Sequence, residues 1–259
     1  MRDDGMQADQ DGTMMLGLHG TFAMFPWLSD RELDDDAFSL VQKRAAAYGF
    51  ESSPAPRWNH HEAGGDWTPG GDVRERCWLQ AGVPGDGGAH RLPVVPGVRV
   101  LTDVVNRVGI FGFTGLHAVV PMHLAHDIGF DLADAADWFA LANPDAGTDL
   151  VVTVSADMSL DLPARASALA GAAAERGPAR LGVRPAEPGR ARPGLAGELT
   201  GEMFVPGDWN REQAFHCRAP EWTPDVAAWM AEIFLDALRE VAPTEGMALV
   251  TVSALSGGA

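Results

Sequence analysis

TPDVAAWMAEIFLDALREV (residues 223–241) and MALVTVSAL (residues 247–255) decide the fold class. The first segment begins as helices do, because Thr223 can cap it, Pro224 fits its first turn and Asp225 suits the positive end of the helix dipole. Its apolar residues recur at helical spacing, at positions 226, 229, 230, 233, 234, 237, 238 and 241. The second segment is a continuous apolar run, typical of a buried strand. Together they predict a long amphipathic helix followed by a strand.

Four further elements precede this pair. DLVVTVSA (residues 149–156) is the clearest strand in the sequence, since it is β-branched and nearly continuous. A helix with Pro163 near its first position follows and ends at Gly177. Residues 178–201, rich in Pro and Gly, indicate a strand or two broken by an exposed loop, and QAFHCR (residues 213–218) indicates a short strand. The order strand, helix, strand, strand, helix, strand is the ferredoxin-like pattern.

The first half of the sequence shows a looser version of this order, strand, helix, strand, strand. Residues 13–25 are apolar and interrupted by glycines, which predicts a buried strand, and the acidic residues 34–36 predict the start of a helix. Residues 51–71 have the composition of a loop. The remaining stretches are 76–81, a predicted strand, 98–108, which fits a short strand or a short helix, and 110–122, a predicted strand.

We therefore expect an α+β protein with antiparallel sheets and helices on one face, built from two ferredoxin-like (βαββαβ-type) halves. The expected organisation is a disordered tail at residues 1–12, an N-terminal α+β half at 13–109 and a C-terminal ferredoxin-like half at 110–259. The two halves could instead form one compact domain. Sheets of this kind have open edges that pairing can cover, so a homodimer is a further expectation.

Composition excludes several classes of partner. The chain has 259 residues, of which 46% are hydrophobic, enough for a substantial core. With 36 acidic and 19 basic residues its net charge is −17, which disfavours nucleic acid and anionic membranes as partners. No apolar run reaches the roughly 18 residues of a membrane span, and the acidic N-terminus does not resemble a signal peptide. We expect a cytoplasmic protein.

The basic residues and the cysteines say little about the function of the protein. Lys43 is the single lysine and lies in a predicted helix, which argues against Schiff-base chemistry. The preference for Arg, Ala, Gly and Pro indicates a bacterium with a GC-rich genome. Cys77 and Cys217 are too few for a disulfide framework, although Arg76 could lower the pKa of the Cys77 thiol.

Common catalytic motifs are absent from the sequence. It contains no GxxxxGK[ST], no GxGxxG after a strand, no GxSxG, no HExxH and no CxxC. These absences argue against the usual nucleotide-binding, dinucleotide-binding, serine-hydrolase and zinc-protease classes.

The tripeptide Gly-Leu-His occurs at residues 17–19 and again at residues 115–117, with its histidines 98 positions apart. His216, in a similar setting, lies 99 positions further on. The simplest interpretation is a repeated strand-and-helix unit that carries histidine at a similar place. The three histidines could also meet at one site, or each could be a core residue.

The densest cluster of possible metal ligands is LHAVVPMHLAHD, residues 116–127. His and Asp side chains are common ligands of zinc, iron and manganese. His123, His126 and Asp127 would share one face of a helix, and His117 lies on the preceding strand. These four residues form a candidate metal site, with capping and surface roles as the alternative.

WNHHEAGGDW, residues 58–67, is the second candidate, a loop that could form a pocket for an aromatic substrate. Asp103, an acid in an apolar context, could act as a base or form an ion pair with Arg107. The candidate catalytic residues are His60, His61, Glu62, Asp103 and His117. The candidate substrate-binding residues are Trp58, Trp67, Trp78 and His19.

These observations predict an enzyme of bacterial secondary metabolism that uses His, Asp and Glu for acid–base catalysis. The expected reaction is a cyclisation, condensation or isomerisation of an aromatic or polycyclic small molecule without an organic cofactor. One alternative is a metal-dependent enzyme using zinc, iron or manganese at the cluster of His117. Another is a non-catalytic, immunity-type protein whose acidic surface binds a basic partner.

Overall fold

A computed structural model describes residues 12–28, 36–49, 58–83, 92–125, 129–143, 145–156, 161–177, 181–187, 193–202, 212–242 and 246–255. The predicted tail lies outside these ranges except for Gly12, which is the first residue of a strand.

Eight strands and five α-helices occur within the described ranges. In chain order they are β1 (Gly12–Met24), α1 (Ala37–Ala47), β2 (Asn59–Gly65), β3 (Gly70–Val83), α2 (Val94–Val108), β4 (Gly109–Pro121), α3 (Gly129–Phe139), β5 (Thr148–Ala156), α4 (Leu162–Arg176), β6 (Gly182–Ala186), β7 (Gln213–Ala219), α5 (Pro224–Val241) and β8 (Met247–Ala254). A short 3₁₀ turn, Met122–Leu124, follows β4.

The eight strands form one antiparallel sheet in the order β2-β3-β1-β4-β8-β5-β7-β6. The helices pack against this sheet, so the predicted α+β class is confirmed. The order strand, helix, strand, strand, helix, strand runs from β1 to β4 and again from β5 to β8. The finer expectation of ferredoxin-like halves stays a prediction.

Two helix starts are capped by side chains, one of them at Thr223 as expected from the sequence. The Thr223 hydroxyl accepts a hydrogen bond from the Val226 amide at 3.2 Å, and the Asp161 carboxylate accepts one from the Ala164 amide at 3.2 Å. α5 is the most deeply buried helix, and its Trp229 packs on Phe139 of α3. The C-terminal helix and strand predicted from the sequence are confirmed.

One stretch differs from the sequence expectation, and in another the structure decides between two alternatives. The predicted loop at residues 51–71 contains an edge strand, β2, which pairs with β3. An edge strand needs hydrogen bonds along only one side, so a polar sequence can form one. The ambiguous stretch 98–108 belongs to α2, whose buried Val94, Val98 and Leu101 recur at helical spacing.

The two faces of the sheet are covered differently. On one face, Met14, Leu16 and Leu18 of β1 join the large core beneath the helices. On the other face, Met15 joins a small apolar cluster with Val119, Leu249 and Leu199. Leu199 belongs to residues 193–202, which we call the covering segment.

The covering segment relies on glycine where it turns. Gly194 has φ +79° and Gly201 has φ +84°, the left-handed region that glycine adopts without strain. A Cβ on Gly201 would lie 2.0 Å from the sulfur of Met15, so the segment also needs glycine to approach β1 closely.

In the described part of the chain, no helix has both the length and the apolar composition to cross a membrane.

Candidate functional site

The two Gly-Leu-His tripeptides face each other on neighbouring strands. Leu18 of β1 pairs with Leu116 of β4, which sets Gly17 opposite His117 and His19 opposite Gly115. Side chains alternate along a strand, so both leucines point to the helices and both histidines to the opposite face. Gly17 makes room for the His117 ring, since a Cβ on Gly17 would lie 2.2 Å from Cε1 of His117.

The two tripeptides lie on antiparallel neighbours, β1 and β4, and each of these strands is followed by a helix, α1 after β1 and α3 after β4. The interpretation of the 98-residue spacing as a repeated strand-and-helix unit stays a prediction. His216 lies on β7, four strands away from β1, or about 19 Å at the usual strand spacing. The structure therefore brings two of the three histidines together.

His19 and His117 form a directed chain of hydrogen bonds with the covering segment. The amide of Ala196 donates to Nδ1 of His19 at 3.1 Å, and the Thr200 carbonyl accepts from Nε2 of His117 at 2.9 Å. Nε2 of His19 lies 2.8 Å from Nδ1 of His117. An amide can only donate and a carbonyl can only accept, so the two ends require both histidines to carry their proton on Nε2. Both rings are fully buried.

Glu75 of β3 completes the cluster. A β-bulge at Arg76 places Glu75 opposite His19. Its Oε2 accepts hydrogen bonds from the amide and the hydroxyl of Thr200, at 3.1 Å and 3.0 Å. Its Oε1 is buried and has no hydrogen-bond partner among the described residues. A Cβ on Gly17 would touch both this oxygen and the His117 ring, so the two groups lie side by side above Gly17.

Burial shifts the proton equilibria of this cluster. It raises the pKa of Glu75 from 4.5 to about 7, against the opposing effect of the Thr200 hydrogen bonds. Burial, and then the proximity of His117, lowers the pKa of His19 well below its usual value of 6.5. Near neutral pH, Glu75 is therefore present in both protonation states, the condition under which a carboxyl can both accept and donate a proton.

Sequence reasoning missed Glu75, Thr200 and Ala196. In a regular strand, Glu75 would share the face of Cys77 and Leu79, which point to the core. The bulge reverses this alternation, and its position could not be predicted from the sequence. The repeated Gly-Leu-His was the one available signal, and it marked the histidines alone.

The predicted loop site lies on β2, away from this cluster. His60 pairs in register with Ala81, and the side chains of His61 and Glu62 are exposed. β2 is three strands from β4, about 14 Å at the usual spacing, so these residues do not meet His117.

The three candidate tryptophans have different surroundings. Trp58 is 1% exposed and lies in the core beneath the helices. Trp67 packs against Phe22, with ring centroids 5.8 Å apart. Trp78 pairs in register with Gly17, is half-buried and lies over Gly64. Trp78 is therefore the candidate nearest to Glu75 and the histidine pair.

Asp103 lies in the helix layer, on the opposite face of the sheet. Its carboxylate accepts hydrogen bonds from Nε of Arg44 at 2.7 Å and from the Tyr48 hydroxyl at 2.6 Å. The ion pair weighed as the alternative role thus exists, but with Arg44 in place of Arg107.

The candidate metal ligands are spread out or lie outside the described residues. Both ring nitrogens of His117 are engaged, and His123 is exposed on the 3₁₀ turn. His126 and Asp127 lie outside the described residues. Within the described ranges, no three His, Cys, Asp or Glu side chains are grouped so that they could hold a metal ion.

The cysteines do not form a reactive site. Cys77 and Cys217 are both buried and free, and burial raises the pKa of each thiol. The expectation that Arg76 lowers the pKa of Cys77 is wrong, because desolvation dominates there.

No protein-family model matches the chain, and no curated protein matches it significantly. The geometry of Glu75, His19 and His117 is therefore the basis for assigning a chemistry.

Proposed function

We propose that the chain is a small-molecule enzyme that works by acid–base catalysis without an organic cofactor, with Glu75 as the group that moves the proton. The observation that carries this proposal is the buried, unpartnered Oε1 of a carboxyl whose pKa lies near 7. His19 and His117, held neutral in their hydrogen-bond chain, position the covering segment and with it Thr200. Thr200 in turn orients the Glu75 carboxyl.

The substrate class follows from the neighbours of Glu75. Trp78 offers a half-buried indole on the same face, which suits stacking with an aromatic ring. A carboxylate beside such a ring can take a proton from a carbon next to a carbonyl and return it elsewhere, the elementary step of isomerisation and cyclisation. The proposed substrates are aromatic carbonyl compounds of bacterial secondary metabolism. A cytoplasmic location and a homodimer belong to the same proposal.

The duplicated element order supports a proposal about the fold. We propose that β1 to β4 and β5 to β8 are two ferredoxin-like halves joined edge to edge through β4 and β8. In this scheme the boundary falls after β4, later than the expected division at residue 109.

The experiment has two readouts. First, NMR of protein with ¹³C-labelled glutamate carboxyls, assigned with Glu75→Gln, should show Glu75 titrating near pH 7. Second, aromatic ketones incubated with the protein in D₂O should gain deuterium next to the carbonyl, as Glu75 removes a proton and solvent returns a deuteron. Glu75→Gln should slow this exchange about 100-fold or more, the usual contribution of a general base.

Glu175→Gln is the matched control, because this exposed glutamate lies on α4 in the helix layer. It should leave the exchange rate unchanged. A Glu75 midpoint near 4.5, or exchange that both variants slow equally, would contradict the proposal.

A metal-dependent enzyme at His117, His123, His126 and Asp127 remains a separate proposal. The engagement of both His117 nitrogens weighs against it. Metal analysis of untagged protein tests it, since one equivalent of zinc, iron or manganese that is lost in His123→Ala would support this site.

A third candidate function, binding of a basic protein partner, is favoured by exposed residues at the end of α3. Trp138 is 68% exposed and Leu141 is 80% exposed, and Asp134 and Asp137 are exposed beside them. In this role, Trp138→Ser would weaken binding of a lysine-rich peptide that carries an apolar residue, whereas Glu75→Gln would not.

A further inference from the structure

A cleft lies on the same face of the sheet as the histidine pair, at the far end of the strand order. Its volume is about 400 Å³, within the range of small-molecule sites. It is formed by β5, β7 and β6, with Asp149, Arg184, His216 and Arg218 as its charged or titratable side chains.

Strand register explains why these side chains meet. His216 of β7 pairs with Arg184 of β6, and Arg218 of β7 pairs with Gly182 of β6. Directly paired residues point to the same face of a sheet, so the histidine and both arginines project together. A Cβ on Gly182 would meet no atom within 4 Å, so the floor between the arginines is open.

His216 has a buried polar atom that the fold does not use. Its Nδ1 is shielded from solvent and has no hydrogen-bond partner among the described residues. Buried polar atoms in folded proteins are nearly always paired, so the fold leaves one hydrogen-bonding position in the wall of this cleft unused.

The charges of the cleft select the sign of that ligand. Arg218 faces Asp149 at 4.0 Å, a loose and exposed pair, and no described residue forms an ion pair with Arg184. Two guanidinium groups outweigh one carboxylate in this cleft, although the net charge of the chain is −17. The protein as a whole repels anions because it is acidic, but the positive charges of this cleft attract a small anion locally.

We propose that this cleft binds a small organic anion through a carboxylate or phosphate group held between Arg184 and Arg218, with His216 as a third contact. The site is independent of the proposed acid–base centre, since β7 is four strands from β1, about 19 Å at the usual spacing.

Calorimetric titration of the full chain with inorganic phosphate and, separately, with benzoate tests this site. Saturable binding of either probe with a dissociation constant of about 1 mM or tighter is expected. Binding of phosphate alone would indicate a ligand with a phosphoryl group, and binding of benzoate alone would indicate a carboxylate ligand. Binding of both probes would indicate a site that recognises negative charge. Absence of saturable binding of either probe overturns the proposal.

Variants locate the binding. Arg184→Gln should weaken it about tenfold, the usual effect of losing a charge-assisted contact. Arg99→Gln is the matched control, because it makes the same charge change on α2 at an exposed pair with Asp225. It should change affinity less than about twofold. Equal effects of the two variants would show general electrostatics and overturn the site.

Asp149→Asn provides an opposite prediction. Removing this carboxylate frees Arg218 for the anion and should tighten binding about twofold to fivefold. Unchanged or weaker binding would contradict the placement of the anion beside Arg218.

Discussion

Nε2 of His19 lies 2.8 Å from Nδ1 of His117, and this contact joins two strands and a crossing segment through one directed chain of hydrogen bonds. Each histidine is buried on the sheet face away from the helices, opposite the glycine of the other tripeptide. The pair therefore fastens the covering segment to the sheet and holds Thr200 against Glu75.

Gly17→Ala should destabilise the protein by about 2 kcal/mol, the cost of overpacking a site that cannot relax. The new Cβ would lie 2.2 Å from Cε1 of His117 and 2.6 Å from Oε1 of Glu75. The His117 ring cannot swing away, because both its nitrogens are engaged. Urea unfolding followed by circular dichroism measures the change.

Gly182→Ala is the control for Gly17→Ala. It is also a strand glycine, but its Cβ would meet no atom within 4 Å, so the substitution should be neutral or stabilising by about 0.5 kcal/mol. Equal effects of the two substitutions would show that the histidine pair imposes no packing constraint.

Stability should depend on pH through Glu75 and His19 with opposite signs. The pKa of Glu75 rises on folding from 4.5 to about 7, so stability falls as pH rises through that range and is then level. This difference in the pKa of Glu75 corresponds to a loss of about 3 kcal/mol in the free energy of unfolding. The pKa of His19 is lowered on folding, so stability falls as pH drops below 6.5, where the unfolded chain takes up the proton.

Glu75→Gln isolates the first of these effects. Gln can still accept the Thr200 hydrogen bonds but does not ionise, so the variant should gain stability over the wild type as pH rises from 4.5 to 7. Other titrating groups cancel in the difference. Urea midpoints at several pH values measure it, and a difference that is the same at every pH would rule out a raised pKa.

The elements that could be predicted were those whose signal is local. The apolar spacing of α5, the β-branched run of β5 and the cap Thr223 depend on neighbours in the sequence, and all were predicted correctly. β2 was missed because its polar, glycine-rich sequence resembles a loop, and its hydrogen bonds come from a distant strand, β3.

The candidate site was predictable only in part, because its geometry depends on register. The repeated Gly-Leu-His singled out His19 and His117. Their contact, however, depends on the antiparallel pairing of β1 with β4, which the repeat does not reveal. Glu75 joined them through a bulge, and Thr200 through a segment that crosses the sheet 125 residues later in the chain. Neither relationship leaves a periodic pattern in the sequence.

Arg76→Met should destabilise the protein by about 3 kcal/mol, since it removes the donor of the buried Gly20 carbonyl and two further hydrogen bonds to part-buried carbonyls. The Arg76 guanidinium is fully buried and donates to the carbonyl oxygens of Gly20, Thr68 and Asp72 at 2.9, 2.7 and 3.0 Å. It thereby ties the connection between β2 and β3 to β1. Differential scanning calorimetry measures the loss.

Arg74→Met is the matched control for Arg76→Met. Arg74 lies two residues away and forms an exposed ion pair with Asp66 at 3.2 Å. Its replacement should cost less than about 1 kcal/mol. Similar losses for the two variants would mean that the hydrogen bonds of Arg76 do not stabilise the fold.

Asp236 of α5 depends on Arg176 of α4, and the pair gives a prediction about the contact between these helices. The Asp236 carboxylate is 1% exposed and receives hydrogen bonds from Nε of Arg176 at 2.5 Å and from Arg239 at 3.0 Å. Arg176→Met should cost about 3 kcal/mol, because it leaves a buried carboxylate with one partner.

Arg176→Met combined with Asp236→Leu should recover most of that loss, since no unpaired charge remains. Urea unfolding of both variants and of Asp236→Leu completes a double-mutant cycle, and simple additivity of the two losses would show that the pair is not coupled.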